Sequence, residues 1–230
     1  MDARRRIMEK KRTSPDEVVR PRLTIRADGS EYWSGMILSP EHERVPAQIW
    51  IHLDEPSKNA PASSELAPVA SWDFPRWLEQ AQAKWGGYPI DLVFVSFGTG
   101  FMKPELIEHL QTLAARRLRW SSKLLTDGLN LTSTAAIDAL LRSSLDEVIV
   151  YVAGVGEAAI NARVLQVTKD LVDLRAARGQ NRPNIICRIC PNPAGGQKII
   201  TEMSQWVRQA GIDRLEVSDK VTEEKRLWGS

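Results

Sequence analysis

The sequence predicts an α/β fold built on parallel strands, and three observations predict it. Short, almost wholly apolar runs alternate with longer segments of helical periodicity between residues 49 and 217. The alternation repeats as six strand–helix units. Glycine and proline punctuate the junctions. Strands that are apolar throughout belong in a sheet with both faces covered, the setting of parallel strands joined by helices. Two layouts satisfy this pattern: an open doubly wound sheet, and a barrel or partial barrel. In either, the C-terminal ends of the strands carry the functional face.

Each element has its own justification. Residues 1–20 are polar and read as a disordered basic leader. Residues 21–46 read as an N-terminal β-hairpin. There Leu23 and Ile25 alternate with polar residues, Asp28 and Gly29 supply the turn, and Tyr32 and Trp33 open the second strand. Residues 47–218 hold the repeats. Residues 49–53 form a short strand. Residues 72–85 form a helix opened by Ser71 or Asp73 and closed by Gly86 and Gly87. The strand DLVFV (91–95) leads into a turn of Gly98, Thr99 and Gly100. Residues 104–117 place Leu106, Leu110 and Leu113 at helical spacing, with Pro104 suited to a first turn. The strand at 122–125 ends in Thr126, Asp127 and Gly128, and the helix at 134–142 gathers Ile137, Leu140 and Leu141 on one face. A very apolar strand at 147–152 ends at Gly154. The long helix at 158–178 carries Val164, Val167, Leu171 and Leu174. A strand at 184–189, a helix at 197–210 and a strand at 214–217 complete the series, and residues 219–230 are a C-terminal tail.

The bulk composition fits one soluble domain: 230 residues, 43% hydrophobic and 26% charged. No run of about 18 apolar residues exists, so no spanning helix and no membrane partner are expected. No apolar segment follows the N-terminal charges, so a cytoplasmic protein without a secretory signal is expected. Charge is uneven. Residues 1–26 carry nine Lys/Arg against four acids, a net of +5, while the remainder carries 22 against 25. Such an arm can touch RNA or acidic partners. A solvated leader is the plainer reading, and nucleic acid is not the expected partner.

Three segments resemble the radical SAM superfamily, especially members that modify peptides and other natural products. FVSFGTGFMKPEL (94–106) is similar to that family's second strand, its Gly-Gly-Glu-Pro turn and the helix start that follows. KLLTDGLNL (123–131) is similar to the third strand and its Thr-Asn-Gly end. LDEVIVYVAG (145–154) with VLQVTKDLVDLR (164–175) is similar to the fourth strand and its helix. Trp33, Ser34 and Gly35 before the first repeat are also familiar from peptide-modifying members. The resemblance implies a partial (βα)6 TIM-like barrel over 47–218, with the hairpin before it.

The departures from the family matter as much. The family carries a Cys-x3-Cys-x2-Cys triad after the first strand, whose thiolates hold a 4Fe-4S cluster. Here the loop reads DEPSKNAPASS (54–64), and Ser57, Pro61 and Ser64 fall at the ligand positions. The turn whose glutamate would pair with the SAM ammonium has become Gly98, Thr99 and Gly100. The resemblance therefore implies a chain with no cluster, no metal and no residual SAM binding, non-catalytic by itself. Its expected partner is a cysteine-bearing radical SAM enzyme, with a precursor peptide as the substrate held between them. Thr126, Asp127, Gly154 and Asn192 are expected to line the barrel mouth.

Other residues offer alternatives. His52, Asp54 and Glu55 cluster at the end of the first repeat strand, and such a trio can perform acid–base chemistry. A charged surface loop is the plainer reading. Gly154 and the segment 191–196 precede helices, where backbone N–H groups favour anions, but most such glycines only permit a tight turn. The only cysteines, Cys187 and Cys190, are too few for a closed cluster or zinc site. A redox pair or a metal site shared with a partner is conceivable, yet core thiols are the plainer reading. Trp72, Trp77 and Trp85 share the first helical region. Core packing accounts for most such residues, and aromatic enrichment at interfaces makes this helix the candidate docking surface. A peptide- or RNA-binding module is the remaining reading.

Overall fold

The computed structural model of the chain describes residues 22–25, 31–34, 45–53, 73–96, 104–115, 119–128, 131, 133–152, 158–189 and 196–218. Eight strands form one sheet in the order β2-β1-β3-β4-β5-β6-β7-β8. They are β1 (Arg22–Ile25), β2 (Glu31–Ser34), β3 (Gln48–His52), β4 (Ile90–Ser96), β5 (Trp120–Thr126), β6 (Glu147–Val152), β7 (Asn184–Ile189) and β8 (Arg214–Val217). Five helices connect the strands from β3 onward: α1 (Phe74–Trp85), α2 (Pro104–Ala115), α3 (Thr134–Arg142), α4 (Ala158–Ala177) and α5 (Gly196–Ala210).

The hairpin forms, with Leu23 opposite Trp33 in the antiparallel β1–β2 pair. It is not a separate unit. β1 also pairs in parallel with β3, Leu23 opposite Ile49, so it extends the main sheet. Seven of the eight strands are thus parallel. From β3 to β8 each strand lies beside its predecessor. Right-handed crossovers in such a series deliver every helix to the same face. That is where they are. The main core joins Ile49, Ile51, Leu92, Phe94, Leu124, Val148, Val150, Ile185 and Cys187 from the strands to buried residues of all five helices. The opposite face carries a second cluster of Trp50, Val93, Val95, Leu125, Ile149 and Ile186, to which no helix contributes. A doubly wound sheet would reverse its strand order and cover both faces with helices. Among the described residues, this sheet does neither. Among the described residues, no pairing joins β8 back to β1 or β2.

Local chemistry sets the ends of the elements. α1 begins at Phe74, two residues later than its periodicity suggests, because the Asp73 side chain accepts from the Arg76 N–H at 3.1 Å and fixes the first turn there. Ser133 caps α3 in the same way through the Ala136 N–H. β5 starts earlier than expected, at Trp120, whose indole N–H donates to the Trp85 carbonyl at the end of α1.

Two aspartates perform the same task at the N-terminal edge of the sheet. Asp146 precedes β6 and Asp213 precedes β8. Each donates its N–H to a neighbouring strand carbonyl, that of Ser122 or Ile185, and accepts the same residue's N–H on its side chain. Both follow a buried aliphatic residue, Leu145 or Ile212. Each is also held by an arginine, Arg182 for Asp146 and Arg175 for Asp213. This reciprocal clamp fixes the register of two strand pairs, where a one-residue slip would turn every side chain to the wrong face.

Candidate functional site

The helix-free face is where the sheet gathers chemistry. Side chains alternate along a strand, so parallel register stacks them in rows. One row reads His52, Val95, Leu125, Ile149, Ile186 and Arg214 across six strands. Its four aliphatic members are almost fully buried. The next row, towards the C-terminal ends, reads Tyr151, Arg188 and Glu216. Asp127 continues the same alternation two residues beyond Leu125. These four residues, with His52, are all half-buried. An apolar floor bordered by half-buried polar residues at the C-terminal strand ends makes this face the candidate site.

A chain of alternating charges crosses the same face. Lys123 lies 3.2 Å from Asp91 and 3.4 Å from Glu147. Arg214 lies 3.6 Å from Glu147 and 2.8 Å from Glu216. Arg188 donates from Nε and Nη2 to one Glu216 oxygen, at 3.0 and 2.8 Å. At the other end, the Ser121 hydroxyl donates to Asp91 at 2.5 Å. Three cations and three anions thus link β4, β5, β6, β7 and β8. Side-chain exposures of about a fifth at Lys123, Glu147 and Arg188 put these charges in a partly desolvated setting, where screening is weaker than at a free surface.

No family model, curated protein or solved structure matches this chain.

The residues expected from sequence are distributed unevenly. His52 and Asp127 come to the helix-free face. Thr126 does not: it is buried, and its hydroxyl accepts the Gly128 N–H at 3.1 Å, shaping the turn rather than lining the mouth. Trp85 is buried and Trp77 is half-buried against the core, with Trp77 stacked on Phe74 at 6.1 Å. Asp54, Glu55, Ser57, Pro61, Ser64, Trp72, Gly98, Thr99, Gly100, Gly154 and Asn192 lie outside the described residues, as do the leader 1–20 and the tail 219–230. Serine hydroxyls and a proline ring cannot replace three thiolates. The loop 54–64 contains no cysteine to supply one.

Cys187 belongs to the main core and is fully buried. Burial pushes its thiol up to about 12, so no thiolate exists there at neutral pH. Cys190 lies outside the described residues. Among the described residues, no group of three or more His, Cys, Asp or Glu side chains is placed to hold a metal ion. A groove of about 420 Å3 opens between α3 and α4, floored by Leu131, Ile137, Val167 and Leu174 with Asp170 and Asp173 beside it. It lies in the helical layer, away from the polar rim.

Sequence reading did not find Tyr151, Arg188, Arg214 or Glu216. Their signal was present. Arg188 interrupts an apolar strand between Cys187 and Ile189, and Arg214 and Glu216 alternate with Leu215 and Val217. Charges at every second position of a buried strand mark the face that is not packed under helices.

Proposed function

We propose that this chain is a non-catalytic, radical SAM-like partial (βα)6 barrel that works beside a cysteine-bearing radical SAM enzyme as accessory subunit or substrate-holding partner. The pathway would be the biosynthesis of a natural product, with a precursor peptide as the held substrate. The single observation that carries this reading is the unreversed order β3 to β8 with every helix on one face. That order fits a barrel-type winding, and the three resembling segments occupy consecutive repeats within it. The site is then the rim of His52, Asp127, Tyr151, Arg188 and Glu216 above its apolar floor. Absence of the thiolate triad supports a holding role rather than radical generation.

The test is an anaerobic pull-down of the tagged chain from native extract, with co-purifying proteins identified by mass spectrometry. The reading expects a stoichiometric protein carrying Cys-x3-Cys-x2-Cys. Recovery of the chain only as a monomer or homodimer sinks it.

One observation favours a second reading, an independent enzyme using metal-independent acid–base chemistry. His52 and Asp127 both sit at C-terminal strand ends on the helix-free face. Turnover that survives alanine at both positions would remove this alternative.

A further inference from the structure

We propose that the groove between α3 and α4 docks a basic, amphipathic helical segment of a partner polypeptide. The proposal goes beyond the reading above. It concerns the helical layer rather than the helix-free face, and it names the partner by charge and shape.

The walls of the groove are two neighbouring helices. Arg178, just past α4, pairs with Asp138 of α3 and holds them side by side. α4 lines the groove with Val167, Asp170, Leu174 and Ala177, at steps of three and four residues. That spacing makes one continuous stripe along a helix. α3 adds Thr134 and Ile137, one turn apart. Val167 and Ile137 are buried in the floor, while half-buried Leu174 and exposed Ala177 leave apolar surface for an incoming side chain to cover. Two helical stripes bordering about 420 Å3 of space suit a third helix laid lengthwise, its ridge of side chains in their groove.

Charge selects the occupant. The lining includes two carboxylates, Asp170 and Asp173, both exposed. Lys169 pairs with Asp173. Gln166 donates to Asp170 at 2.7 Å, and this neutral amide orients the carboxylate without cancelling its charge. Asp170 lies between Val167 and Leu174 along the stripe. The matching segment therefore carries a lysine or arginine between two apolar residues about two turns apart. Long basic side chains suit that place, since their stems lie on apolar surface while the charge reaches the carboxylate. The same carboxylates repel nucleic-acid phosphates and anionic lipid headgroups, which favours a polypeptide as the partner.

The experiment titrates three labelled, alanine-based helical peptides with the full chain at low salt and reads fluorescence anisotropy. Each peptide has two leucines two helical turns apart, with lysine, glutamine or glutamate midway between them. The lysine peptide is expected to bind about threefold more tightly than the glutamine peptide, the scale of one exposed ion pair, and the glutamate peptide more weakly still. Asp170→Asn should erase the preference, and Asp170→Lys should invert it in favour of glutamate. Glu202→Lys, an equal change of charge at an exposed site on α5, should leave it intact. Asp170 and Glu202 are exposed, so every variant should keep the wild-type urea midpoint, which is measured alongside. Binding of no peptide, equal binding of all three, or a preference that survives Asp170→Lys or vanishes in Glu202→Lys overturns the proposal. None of these outcomes depends on capture of a radical SAM protein.

Discussion

The guanidinium of Arg175 grips both carboxylate oxygens of Asp213, at 2.5 and 3.2 Å, and reaches the Pro183 carbonyl at 2.7 Å. Arg175 lies in the last turn of the long helix α4, and Asp213 immediately precedes β8. Asp213 also accepts the Ile185 N–H at 2.6 Å. One carboxylate therefore ties a helix end to two strands, and the edge strand that carries Arg214 and Glu216 depends on it.

Asp213→Ala should destabilise the chain by about 2–3 kcal/mol, since it strands a buried guanidinium and a strand N–H. The loss stays below that of a fully buried pair because the Asp213 side chain is 38% exposed. Urea unfolding at pH 7 measures it, and an unchanged midpoint would refute the clamp.

Burial pushes the Asp213 carboxyl upward, but bonds from Arg175 and the Ile185 N–H, with the Arg175 charge, outweigh it and hold the group below its ordinary value. A depressed carboxylate contributes stability above its unfolded pKa and loses it as pH falls through the folded one. The stability gap between wild type and Asp213→Asn should accordingly be flat above about pH 5 and close below about pH 4. A gap that widened in acid would contradict this sign.

Cys187 should resist a thiol reagent in the native state at pH 8 and react fully in urea, read in a Cys190→Ser background so that one thiol is counted. The cause is burial, which keeps the sulfur protonated up to about 12. Prompt native labelling would overturn its place in the core and reopen a redox role.

Gly128→Ala should cost about 1–2 kcal/mol. Gly128 sits at φ +72, and an added Cβ would stand 3.4 Å from a Val150 methyl, with Val167 and Val164 behind it. Unfolding measurements test this, and a neutral result would mean that the turn relaxes freely.

Phe94→Ala should cost about 3–5 kcal/mol, as deletion of a fully buried ring leaves a cavity. Phe94 meets Phe74 of α1 edge-on at 5.9 Å, so the loss should also loosen α1, measurable as faster amide exchange along residues 74–85. Uniform exchange in the helix would argue against that coupling.

The sequence by itself determined the elements. The six repeat strands, the five helices and the hairpin strands are each written in local periodicity, such as the Ile137, Leu140 and Leu141 face of α3 and the alternation of Leu23 and Ile25 in β1, because hydrophobic spacing acts over a few residues. It also shows that the loop 54–64 carries no cysteine and so no thiolate. Strand order, and with it the rejection of a doubly wound sheet, came only from tertiary structure. So did the placement of His52, Arg188 and Glu216 on one face of the sheet. Residues 52 and 216 are distant along the chain, and only parallel register through four intervening strands brings them to one face. Thr126 and Asp127 make the same point at short range. They are adjacent in sequence and equally polar, yet the alternation of the strand buries one in a turn and carries the other to the rim, a distinction set by which face the helices cover.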